Sequence, residues 1–76
     1  MSHEKERRER MKELLKILEN CVDKTEYKFK LAAVFAVQWG ITDRKVLEYI
    51  NTLENAGYIE ELGAGKIRFC RALDSA

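Results

Sequence analysis

Residues 41 to 59, Ile-Thr-Asp-Arg-Lys-Val-Leu-Glu-Tyr-Ile-Asn-Thr-Leu-Glu-Asn-Ala-Gly-Tyr-Ile, spell out a helix with both ends marked, followed at once by the start of a strand. Thr42 stands where a side-chain hydroxyl can cap the first turn, and Val46, Tyr49, Ile50 and Leu53 recur at the three-and-four spacing that places them on one face. Gly57 follows the last periodic residue and supplies a left-handed backbone at no Cβ cost, after which Tyr58 and Ile59 begin an extended run. Such a helix buries one face against its neighbours and leaves the other to solvent or a partner.

Length limits what can surround it. With 76 residues, 46% of them hydrophobic, the chain can build one small core and has little room for a buried catalytic cleft. We expect a charged extension over residues 1–10, frayed or helical, a single domain over 11–73 and a tail over 74–76. The charged fraction is 36%, and the longest apolar run, Leu31 to Val37, is far shorter than the roughly 20 residues a bilayer requires. A charged rather than apolar N-terminus points to a soluble cytoplasmic protein. Cys21 and Cys70 form no short-spaced pair and His3 is the only histidine, so no metal site or cofactor is expected, and two half-buried thiols are expected in place of a disulfide. The same scarcity leaves no nucleophile, base and orienting group from which to assemble an enzyme. Absence of proline, a lone glutamine and abundant Glu, Lys and Arg lean toward a heat-adapted source.

Upstream, Met11, Leu14, Leu15, Leu18, Cys21 and Val22 follow helical spacing within residues 2 to 22, with Glu4/Arg8 and Glu6/Arg10 four apart as supporting pairs. Residues 1–10 hold no apolar stripe and read as a solvated end rather than a binding arm. Tyr27 to Leu31 alternates as a short strand would, but the apolar run to Trp39 favours a second helix over about residues 28 to 39, preceded by a brief extended segment. Gly40 ends it, and only Ile41 separates that glycine from Thr42, a link short enough for a helix-turn-helix. After the third helix, Tyr58 to Leu62 and Lys66 to Leu73 flank Gly63-Ala64-Gly65 as a hairpin. Ile67 and Phe69 should face the helices, with Lys66, Arg68 and Cys70 opposite. Glu60 and Glu61, as strand neighbours, point to opposite sides and cannot work together as acid and base.

Helix, short extended piece, helix, tight turn, helix and hairpin resembles the winged helix-turn-helix superfamily over residues 31 to 71, on the pattern Val46, Tyr49-Ile50, Leu53, Gly57 and Tyr58-Ile59. The likeness is greatest to small single-domain archaeal-type transcriptional regulators. It implies a mainly α fold with a small β-hairpin (α+β): three helices plus a two- or three-stranded antiparallel sheet. It further implies sequence-specific binding of double-stranded DNA, with helix 42–56 in the major groove and the wing, 58–71, on the backbone or an adjacent groove. Arg44 would then bond guanine through its fork, Lys45 a phosphate or purine, Asn51 an adenine, and Thr42 or the helix N-terminus a phosphate. Lys66, Arg68 and Arg71 would neutralise phosphates from the hairpin.

Charge departs from that pattern. Residues 1–38 carry nine bases and seven acids, +2, while residues 39–76 carry five bases and six acids, −1. The half holding the reader is not basic, so binding by counterion release is expected to be modest and salt-sensitive. Glu48 on the exposed face would repel phosphates unless it accepts from a cytosine N4. Leu47 is expected on the outward side as well, where it meets a thymine methyl or a protein. A second class of function therefore stands beside the first, a winged-helix protein-interaction module in a larger assembly using Leu47, Glu48 and the Glu60-Glu61 strand. No helix follows the wing, so a homodimer would have to form through the first helix or through Phe29 or Phe35 of the second.

Overall fold

In a computed structural model of the chain, residues 3–73 are described; the expected tail, Asp74-Ser75-Ala76, lies outside them. The elements run α1 (His3–Glu19), a 3-10 turn (Val22–Lys24), β1 (Thr25–Tyr27), α2 (Lys28–Trp39), α3 (Asp43–Asn55), β2 (Ile59–Gly63) and β3 (Lys66–Phe69). The three strands form one antiparallel sheet in the order β1-β3-β2, so the extended piece before α2 pairs with the far strand of the hairpin. Three helices and a three-stranded antiparallel sheet make this a small, mainly helical α+β fold of winged-helix type. Among the described residues no helix is long and apolar enough to cross a membrane.

The core is supplied from every layer. Met11, Leu14, Leu15 and Leu18 come from α1, Leu31, Ala32 and Phe35 from α2, Val46, Tyr49, Ile50 and Leu53 from α3, and Ile59 and Ile67 from the hairpin. No polar or charged side chain is buried among the described residues. Trp39 bridges the helices with its ring centroid 4.5 Å from Phe35 and 6.2 Å, edge-on, from Tyr49. Such aromatic contacts add to the area they bury.

Local chemistry sets the element ends. Thr42 Oγ1 accepts from the Lys45 amide at 3.2 Å and caps α3. At the other end the Tyr58 amide donates to the Leu53 carbonyl at 2.9 Å and the Gly57 amide to Glu54 at 3.1 Å, a Schellman closure that needs the +89° φ of Gly57. The hairpin turns through Ala64 and Gly65, both at positive φ, the signature of a two-residue type I′ turn.

Several expectations need correction. α1 stops at Glu19, and Val22, expected on its apolar face, is 83% exposed in the turn where Asp23 and Lys24 take positive φ. Cys21 is half-buried and Cys70 exposed, both as free thiols, so the half-buried reading fails for Cys70. Phe35 is 2% exposed and is not an outward residue of α2; Phe29, Val34 and Val37 are. Leu47 is half-buried and packs against the core rather than facing solvent. The described part of the 1–10 extension is helical, forming the first turns of α1, and residues 4–9 are exposed, with Arg7 and Arg10 reaching across to α3.

Candidate nucleic-acid interface

α3 presents three sides. Val46, Tyr49, Ile50 and Leu53 are buried, and at 100° per residue the opposite line runs through Arg44, Glu48, Asn51 and Asn55, all exposed. Among the described residues Arg44, Asn51 and Asn55 have no hydrogen-bond or ion-pair partner within the chain. Glu48 is held by Lys45, whose Nζ lies 3.5 Å from its carboxylate and 5.7 Å from the Tyr49 ring, so neither charge stands alone. Thr42 is spent on the cap, and Asp43 sits in the first turn, where a carboxylate complements the positive end of the helix. Arg44 is therefore the group at this end with its donors uncommitted.

One flank of that line is covered by α1. Arg7 donates to Thr52 Oγ1 at 3.3 Å, and Arg10 donates to the Tyr49 hydroxyl at 3.3 Å while its guanidinium stacks 5.4 Å from the Trp39 ring centre. Arg10 is also fixed by Glu6 at 3.1 Å. These contacts bring cations of the N-terminal half alongside a helix whose own half of the chain is net acidic. Their only sequence signal was the Glu6/Arg10 spacing, which says that a helix is supported but not what it packs against.

The other flank meets the start of α2 and the hairpin. Lys28, Phe29, Leu47, Asn51 and Glu54 line a shallow groove there. Lys28 pairs with Glu61 at 3.3 Å. Burial, then the hydrogen bond and charge of Glu61, push the Glu54 carboxyl above its ordinary range against the pull of Lys28.

The hairpin carries less free charge than its composition implies. Arg68 forms an ion pair with Glu60, its cross-strand partner. Arg71 stacks 4.3 Å from the Tyr58 ring and donates to the Ala56 carbonyl at 3.2 Å, closing the end of α3. Lys66 lies 5.8 Å over the Tyr27 ring and, among the described residues, has no carboxylate partner. The turn is tied down as well: the Lys28 amide donates to the Gly65 carbonyl at 2.8 Å, and a Cβ on Gly65 would stand 3.1 Å from the Phe29 ring. The structure thus brings Thr42, Arg44, Lys45, Glu48 and Asn51 together on α3 and leaves Lys66, Arg68 and Arg71 on the sheet and at the helix end. No protein-family model, curated protein or solved structure matches the chain.

Proposed function

We propose that this chain binds double-stranded DNA in a sequence-specific manner, as a transcriptional regulator of the winged helix-turn-helix kind. The observation that carries the reading is the uncovered line of α3, on which Arg44 and Asn51 have no partner among the described residues. Arg44 offers its fork to guanine O6 and N7, and Asn51 its amide to adenine. Seven residues of helix separate them by about 10 Å, roughly three base-pair steps, so the two can read one groove together. Lys45, Lys66 and Arg7 serve as phosphate contacts around them, and Glu48, its charge offset by Lys45, faces the groove between the two readers. Arg68 and Arg71 act first on the protein itself, one across the sheet and one at the end of α3.

Fluorescence anisotropy with a labelled duplex pool tests this. Counting about three phosphate contacts, affinity should fall roughly fortyfold between 50 and 200 mM salt. Replacing Arg44 and Lys45 together with alanine should remove low-salt binding, whereas undiminished binding would reject α3 as the reader.

A second reading draws on the groove where exposed Phe29 lies beside half-buried Leu47. There the chain is an interaction module for a protein partner. In that case duplex fails to bind at low salt, and Leu47→Asp abolishes partner capture.

A further inference from the structure

The outer side of α2 is apolar and bare. Val37 is 85% exposed and Val34 52%, with exposed Ala33 next to them on the same helix and Ile17 of α1 exposed as well. A groove lies along the α1/α2 seam, lined by Ile17, Lys30, Leu31, Val34, Phe35 and Gln38, and no residue of α3 contributes to it. Exposed aliphatic groups gathered in this way mark a contact surface.

The charges around the groove point to its occupant. α1 and α2 run antiparallel here: Glu13 accepts from Gln38 Nε2 at 3.0 Å and from Trp39 Nε1 at 3.3 Å at one end, while Cys21 lies by Glu26 and Lys30 at the other. One end therefore carries the Glu13 carboxylate. The other ends in the Lys30 ammonium, its side chain 70% exposed and 3.9 Å from the less exposed Glu26 carboxylate, too far for a hydrogen bond. Lys30 precedes Val34 by four residues and Gln38 follows it by four, about 6 Å each way along the helix. Glu13 and Cys21 straddle Ile17 at the same spacing. A two-fold axis through Val34 and Ile17 maps the acidic end onto the basic end and the valines onto one another.

We propose that this face is a homodimer interface, in which α2 packs antiparallel against α2 of a second copy and Lys30 of each meets Glu13 of the other. An isologous contact of this kind closes on itself and demands the self-complementarity seen here. It leaves the Arg44 line of α3 uncovered in both copies. The inference stands apart from the nucleic-acid reading, because it is tested without DNA.

Sedimentation velocity on the full chain, from low to high micromolar concentration, should show a monomer–dimer equilibrium. Val37→Glu, at a solvent-facing position, should leave the circular dichroism spectrum unchanged and raise the dimer dissociation constant by at least about tenfold. Lys30→Glu alone and Glu13→Lys alone should each weaken the dimer about tenfold, since two symmetry-related pairs turn from attractive to repulsive, and the double variant should recover it. A wild type that stays monomeric throughout overturns the proposal, even if another protein is found on this face. A dimer indifferent to Val37→Glu overturns it too, as does failure of the charge-swapped pair to recover association.

Discussion

Gly65→Ala measures whether the hairpin tip is a docked part of the domain or a free arm. Gly65 has a φ of +79° and is buried, with the Phe29 ring where a Cβ would go, at 3.1 and 3.3 Å. Holding an L-residue in the left-handed region costs about 1–2 kcal/mol. Pushing the ring off its rotamer adds about 0.5–1.5 kcal/mol. Together these predict a loss of about 1.5–3.5 kcal/mol, and a melting temperature lower by about 4–8 °C for each kcal/mol in a domain this size. Phe29→Ala removes the steric part and leaves the backbone part, so the same glycine substitution in that background should cost only about 1–2 kcal/mol. Urea melts of the four proteins give the coupling directly. A cost for Gly65→Ala that does not change when Phe29 is removed would refute the docked tip, and with it the view that the wing is held against α2.

Thr42→Ala deletes the bond from the Lys45 amide to Thr42 Oγ1 and should lower stability by about 1 kcal/mol in denaturant melts, with Thr42→Asp largely sparing it. Glu54 has its carboxyl raised by burial and by Glu61. A carboxyl whose folded value is raised favours the native state most when protonated, so its contribution is present at low pH and is lost as pH rises from the unfolded value through the raised one. Glu54→Gln should therefore raise the melting temperature at pH 7 more than at pH 4, and an equal shift at both would contradict the assignment.

What could be read from the sequence and what could not divide along physical lines. The ends of α3 were legible because Thr42 and Gly57 act on backbone groups within a few residues of themselves. The buried set Val46, Tyr49, Ile50 and Leu53 was legible because polar residues separate it from the opposite face. α2 gave no such contrast: it is apolar nearly all round, so sequence could place the helix but could not choose between Phe35 and Val37 as the outward residue. Leu47 failed for a related reason, since it lies at the boundary between faces and its burial depends on where α2 and Phe29 sit. The docking of α1 on α3 joins Arg7 to Thr52, 45 residues away, and no local pattern carries that. Arg68 looked free until strand register placed it opposite Glu60. Of the expected interface, the α3 residues gather on one side as the periodicity required. The hairpin cations are largely engaged with the protein, which spacing alone could not reveal.

The central claim is that the Arg44 line of α3 is the surface that meets duplex. Titration of isotopically labelled protein with a duplex pool, followed by amide and arginine side-chain chemical shifts, tests it most directly. The account predicts that the largest changes fall on Thr42 to Asn55 and on the Arg44 guanidinium, with smaller ones at Arg7 and Lys66 and none at Val34 or Val37. Changes centred on Ile17, Val34 and Val37, or no change at low salt, would contradict it.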